Sequence, residues 1–202
     1  MDEIILIGAG GHARSCIDVI EAKGKFKIAG FVEKNNSNLK ENLEYPVIGT
    51  DDELQSLRKK YSFALITIGQ IKSPKKRIRL FSVLKKLNFI LPVIISPQAY
   101  ISKYSTIGQG TILMHNSIVN ANAIVGENCI INNKALIEHD VIIGNHCHIS
   151  TGAIINGNAK VGSESFIGSG VITKESISIG SNCVIGAGKV LKENINSNEL
   201  II

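Results

Sequence analysis

The chain has 202 residues, 44% of them hydrophobic, and a formal net charge of +5. Such an apolar share supports a folded core and argues against disorder as the default, while the scattered lysines and arginines lack the continuous basic face with interleaved aromatics of a nucleic-acid binder. No uncharged apolar run is long enough to span a bilayer, the start Met1-Asp2-Glu3-Ile4 has no signal-peptide grammar, and Cys16, Cys129, Cys147 and Cys183 show neither CxxC nor metal spacing, so a reduced cytoplasmic protein is expected.

Up to residue 96, short apolar runs alternate with amphipathic stretches. Residues 4–7 read as a strand and 13–22 as a helix with Cys16, Val19 and Ile20 on one face. Residues 28–32 form the next strand. Residues 51–60 suit a helix with Asp51 and Asp52 at its start. A strand over 63–68, a helix over 75–87 and a last strand over 90–95 complete a βαβ-type unit with a parallel sheet, a small Rossmann-like domain spanning 1–96.

Within it, Gly8-Ala9-Gly10-Gly11-His12-Ala13 follows the first strand and opens the first helix, fitting GxGxxA. Glu33 ends the second strand roughly twenty residues on, where a dinucleotide fold places an acid. Alone, the motif reads as an NAD-binding module. The domain lacks the second mononucleotide half, however, and the physical content that survives is a set of backbone N–H groups able to cradle phosphate.

After Pro97 the grammar changes. From Ile101 to Leu191 every sixth residue is aliphatic except Thr173. The residue four places on is usually small, as at Thr111, Cys129, Cys147, Ala153 and Cys183. Glycine often follows the aliphatic, as at Gly108, Gly126, Gly144 and Gly162, and glycine or asparagine is expected to accommodate corner dihedrals. A sustained period of six signals a parallel β-helix over 97–202, aliphatics pointing inward. The cysteines of this half read as small buried hydrophobes.

Chemistry must sit where polar residues interrupt the repeat. The densest interruption is Glu138-His139-Asp140, followed by His146-Cys147-His148. A zinc site, solvated structural histidines and a general base are the three readings. Metal fits poorly because His146 and His148 flank an inward Cys147, and no metal is expected. An imidazole titrates near working pH, and a neighbouring carboxylate fixes its tautomer. Contact between His139 and Asp140 requires the chain to turn there, since strand neighbours point to opposite faces.

The Ile137-Glu138-His139-Asp140 run, the histidine nine residues later and the opening Ile5-Leu6-Ile7-Gly8-Ala9-Gly10-Gly11-His12-Ala13 resemble bacterial sugar acetyltransferases of the PglD/NeuD type. The resemblance implies a left-handed β-helix of three strands per coil, residues 18 apart stacking, and a homotrimer with acetyl-CoA between neighbouring prisms. It makes His139 the general base and Asp140 its carboxylate. His148, Gly157, Ser169 and Ala187 would meet acetyl-CoA, with Gly157 leaving room for the pantetheine arm above His139. Gly10, Gly11 and His12 would meet a sugar nucleotide's diphosphate region, Glu33, Lys34 and Gly69 its base, and Asn132 the sugar.

Because His139 and His148 are half a coil apart, one site can use both only between subunits. No cysteine is placed for an acyl-enzyme, so direct transfer is expected. The implied reaction is N-acetylation of a nucleotide-activated amino sugar, of the UDP-4-amino-4,6-dideoxy-N-acetylhexosamine type, for a surface glycan. The alternatives are O-acetylation of a sialic or nonulosonic acid, and a non-catalytic scaffold or NAD-binding module. Glu33-Lys34 in place of two acids, and Gln70-Ile71-Lys72-Ser73-Pro74 after Gly69, lean toward the sialic acid type; Asp140 leans the other way.

Overall fold

The computed structural model describes residues 1–34 and 41–202. Its first half contains β1 (Asp2–Ile7), α1 (Gly11–Lys23), β2 (Phe26–Glu33), β3 (Glu41–Asn42), β4 (Tyr45–Thr50), α2 (Leu54–Leu57), β5 (Phe63–Ile66) and α3 (Lys75–Lys86). The sheet order is β3-β4-β2-β1-β5. Residues Ile4 to Ile7 of β1 are all buried, as befits a central parallel strand covered on both faces.

Three expectations need amending here. Strand β4 was not anticipated, because Pro46 and Gly49 interrupt its pattern, yet it pairs in parallel with β2. The helix expected over 51–60 is a 3-10 turn, Asp51–Glu53, followed by the short α2. Its start is fixed by Glu53 Oε2, which accepts from the Thr50 amide at 2.8 Å and hydroxyl at 2.9 Å. Residues 90–95 do not form one strand. Ile90 bridges Phe63 in the front sheet, whereas Ile94–Ile95 pairs with Ile112–Leu113 of the second half. Pro92, which has no N–H to give a ladder, lies between them.

The second half is a left-handed parallel β-helix of two-residue strands. Its three sheets have seven, six and five strands. The first face stacks Ile94–Ile95, Ile112–Leu113, Ile130–Ile131, His148–Ile149, Phe166–Ile167, Val184–Ile185 and Leu200–Ile201. The second carries Leu136–Ile137 between Ile118–Val119 and Ile154–Ile155, and the third begins at Thr106–Ile107. Seven rungs at about 4.8 Å make a prism roughly 30 Å tall, taller than the repeat counted from Ile101 alone suggests.

Inward residues such as Val119, Ile137, Ile155, Cys129 and Cys147 are fully buried in one continuous core. Thr173 keeps the inward position that every other rung gives to an aliphatic, buried to 1% exposure. Its hydroxyl accepts from the Asn156 amide at 2.9 Å. Ile177 fills the neighbouring inward place where most coils have a small residue, so volume is redistributed within the coil rather than lost.

The corner dihedrals fall elsewhere than the glycine pattern suggests. The left-handed residues recur every sixth position from Gly110 to Gly188, and include Asn122, Asn128, Asp140, His146 and Asn158. The glycines that follow the aliphatics serve close approach instead. A Cβ on Gly108 would lie 2.5 Å from the backbone nitrogen of Glu127 in the next coil.

The front half packs on the lower part of the first face. Ile4, Leu6, Cys16, Ile20 and Phe31 share one core cluster with Ile94, Ile112, Met114 and Ile130. Outward Ile94, Ile112 and Ile130 of that face are thus buried by the front half, which also covers His148, while Phe166 and Val184 above stay partly exposed.

Candidate active site

The second face delivers His139. The chain leaves the Leu136–Ile137 strand and turns at Asp140, whose φ is 61°. That turn brings Asp140 Oδ2 to 2.7 Å from His139 Nδ1. A carboxylate only accepts, so Nδ1 carries the proton and Nε2 the lone pair. Asn122, one coil below, donates to Asp140 Oδ1 at 2.6 Å and anchors the carboxylate. Glu138 is held likewise by Asn120 at 2.9 Å. The hydrogen bond to Asp140 raises the pKa of the exposed His139, and the Asn122 amide, then His139, lower that of Asp140.

Gly157 lies one coil above. A Cβ there would sit 2.8 Å from His139 Nε2. The room left by Gly157 is therefore filled by the imidazole itself, where the sequence suggested space for a pantetheine arm.

The first face delivers His148 in a different setting. It is 6% exposed, and its Nδ1 lies 2.5 Å from the Gln70 carbonyl oxygen. A carbonyl also only accepts, so here too Nδ1 is protonated. The bare Nε2 faces Asn132 Nδ2 at 3.2 Å, which places Asn132 at His148 and not beside His139. The edge of Phe166 closes one side, with ring centroids 5.2 Å apart, and His12 approaches at 6.5 Å. Burial pushes the His148 pKa down to about 4. Burial, then the charge of Arg77, pushes that of His12 to about 3. His12 Nε2 is buried with no hydrogen-bond partner. Gly69 borders this ring, since a Cβ on it would lie 3.5 Å from His12 Cβ.

The glycine-rich loop is clamped from behind. Glu33 Oε1 accepts from the Ala9 amide at 2.6 Å, so this acid ties down the loop. Asn42 Nδ2 donates to the carbonyls of Ala9 at 2.6 Å and Gly10 at 3.3 Å, and its Oδ1 accepts from Arg14 Nε at 3.0 Å. Gly10 and Gly11 remain exposed at the N-terminus of α1 with open space before them. Lys34 is exposed, and with Glu33, Asp51 and Lys76 it rims a shallow depression.

Ser169 and Ala187 are exposed on successive coils. Ser169 Oγ lies 2.9 Å from Ser150 Oγ, and a Cβ on Gly168 would come within 2.7 Å of the Ala187 amide. Ala187 lines a cleft of about 600 Å³ with Phe166, Val184, Leu200, Ile71 and Lys72, the last two from the loop before α3. Apart from the glycine-rich loop with Glu33 and Lys34, and from Ser169 and Ala187 on the upper coils, the predicted residues gather in two groups. His139, Asp140 and Gly157 form one; His12, Gly69, Asn132 and His148 form the other, on another face of the prism. Outward residues Tyr100, Ile118, Ile172 and Val190 leave an exposed apolar stripe on the second face. Among the described residues no cluster of His, Cys, Asp or Glu could hold a metal, and no helix is long and apolar enough to cross a membrane.

Sequence reasoning missed Gln70, Arg77, Asn42, Asn122 and Asn128 as partners of these groups. Only Arg77 left a signal. It shares a helical stripe with Leu80, Phe81 and Leu84, an apolar face on which a charge is out of place.

Comparison with known proteins agrees with this architecture. The family described as the PglD N-terminal domain matches residues 3–84. Bacterial transferase hexapeptide repeats match 104–139 and 122–157, and the hexapeptide repeat of succinyl-transferase matches 158–193. No curated protein matches the chain by sequence. Among solved structures, the acetyltransferase domain of PglB from Neisseria gonorrhoeae is 30% identical, with a TM-score of 0.91 over 99% of this chain and 96% of that one. It is also known in complex with acetyl coenzyme A. PerB from Caulobacter crescentus, solved with CoA and GDP-perosamine, is 28% identical, with a TM-score of 0.92 over 99% and 93%. WeeI from Acinetobacter baumannii, at 22% identity and a TM-score of 0.84 over 99% and 96%, shares the fold.

Proposed function

Given that the chain belongs to the PglD/NeuD-type bacterial sugar acetyltransferases and is an acyltransferase using acetyl-CoA, we propose that it N-acetylates a nucleotide-activated amino sugar with His139 as general base. The observation that carries this reading is the His139 geometry: Nδ1–H on Asp140 and a bare Nε2 on an exposed corner. The likeness to PerB, whose complexes with CoA and GDP-perosamine include variants with one histidine replaced by asparagine or alanine, supports it.

In the proposed reaction the sugar amine attacks the thioester carbonyl carbon, and its proton passes to His139 Nε2. Collapse of the tetrahedral intermediate breaks the C–S bond. The proton then leaves with the thiolate, giving the amide and free CoA. The cleft beside Ala187 and Phe166 has the size and apolar walls to hold the pantetheine arm. The clamped loop offers the N–H groups of Gly10 and Gly11 to the diphosphate.

Because the two groups of residues lie on different faces, we take the complete site to form between copies. The apolar stripe of the second face supports a homotrimer. Incubation with acetyl-CoA and a panel of nucleotide-linked amino sugars and sialic acids, following free thiol, tests the reading. Thiol release with an amino sugar is expected. Release only with a sialic acid would replace it by O-acetylation.

A further inference from the structure

Arg77 is the most deeply buried cation among the described residues, at 1% exposure, and it forms no ion pair with a carboxylate there. Its Nη1 donates to the carbonyls of Ile66 at 3.1 Å and Ile68 at 2.6 Å. Its Nη2 donates to Asn128 Oδ1 at 2.7 Å and to the Asn128 carbonyl at 3.2 Å. Nε has no partner. Burial lowers its pKa only to about 10, so the guanidinium stays charged at neutral pH. A methionine would fill this volume without desolvating a charge. The observation to explain is therefore what the fork holds.

It holds the end of β5, and the chain beyond it reaches the active-site groups. Gly69 borders His12, the Gln70 carbonyl binds His148 Nδ1, and Gln70 Nε2 donates to the His146 carbonyl at 3.0 Å. Asn128, the other end of the fork, donates to His146 Nδ1 at 3.0 Å. The bonds close a ring from α3 through β5 to two adjacent coils of the prism. The bond to His148 is made by a main-chain carbonyl, so its position depends on whatever fixes this loop.

We propose that Arg77 is a positioning residue which, by fastening residues 66–70 to the prism, keeps His148 in the Nδ1–H tautomer with Nε2 turned to the transfer site as a hydrogen-bond acceptor. This rests on the reading that His148 borders the acetyl end of the coenzyme. It has a chemical consequence: His148 cannot donate to the thioester carbonyl. It accepts an N–H instead, from Asn132 or from the incoming amine, and orients that group for attack.

The test combines spectroscopy and kinetics. In histidine-15N-labelled protein at neutral pH, with the His148 signals assigned by their loss in His148→Gln, the expected spectrum shows a protonated Nδ1 and a bare Nε2. Arg77→Lys keeps the charge without the fork. It is expected to give a mixed tautomer and a kcat lower on the order of ten- to a hundred-fold, with KM for the sugar nucleotide little changed. Arg77→Met should be worse in both readouts. Should the Arg77 variants not fold, Asn128→Ala, which removes one branch of the fork, is expected to shift the tautomer in the same direction. A wild-type His148 protonated at Nε2 overturns the proposal, as does a folded Arg77→Lys with unaltered tautomer and kcat. Undiminished turnover of His139→Ala, by contrast, would sink the general-base reading and leave the tautomer result standing.

Discussion

His139 and His148 are nine positions apart in sequence and carry the same side chain, yet the fold gives them opposite chemistry. His139 stands exposed, and its partners are local to the repeat: Asp140 beside it, Asn122 below Asp140, Gly157 above. His148 is enclosed, and its decisive partner, Gln70, is 78 residues away. A carboxylate raises the first pKa, and burial lowers the second. The first ring is suited to taking up a proton. The second is locked neutral and can only offer a lone pair. Donor geometry and desolvation, not residue type, separate the two roles.

The largest effect expected from this contrast is on turnover. His139→Ala should lower kcat about 10²- to 10⁴-fold while leaving the melting temperature little changed, because the ring is mostly exposed and covers only Gly157; steady-state kinetics and thermal melting check both halves. The contrast also predicts an acid response, which the buried His12 shares with His148. The folded pKa of His148, about 4, lies below the unfolded value of 6.5, so the unfolded chain binds more protons between those limits. His148 therefore contributes stability that rises with pH across that window, by on the order of 3 kcal/mol. Urea midpoints measured from pH 4 to 7 should show this slope, and it should flatten in His148→Gln relative to the wild type.

A smaller effect is expected at the stacking glycine. Gly157→Ala places a methyl 2.8 Å from His139 Nε2 and must tilt the ring. We expect kcat to fall roughly ten- to a hundred-fold with the fold intact; wild-type kcat in this variant would show that the ring is free to relocate. Smallest is the change at the carboxylate. Asp140→Asn removes the main cause of the raised His139 pKa. A general base works only when deprotonated, so the acid limb of kcat/KM should move to lower pH, with about a ten-fold loss of maximal rate. An acid limb that stays in place would assign it to another group.

Much of this was legible beforehand because the repeat is local. Each rung of six residues repeats the same physical demand, so Ile137 inside could be read by counting, and the family resemblance added that residues 18 apart, such as His139 and Gly157, stack. The seam was not legible. Gln70, Asn42 and Asn128 are ordinary polar residues whose importance comes from what they meet 33, 51 or 78 residues away. The roles of glycines were also misjudged. Counting finds where glycine recurs, but only the stacked coils tell a positive φ from a close approach.

By itself, then, the sequence determined a period of six with aliphatics facing in, a phosphate-type loop before a helix, and a histidine next to an acid at a turn. These follow from chain-local sterics and from which side chains water rejects. Only the tertiary structure decided that Glu33 and Asn42 brace the loop, that Arg77 ties β5 to the prism, and that His148 is a buried acceptor. Those outcomes depend on which distant donors and acceptors burial forces together, because a polar group removed from water must find its partner wherever the fold provides one.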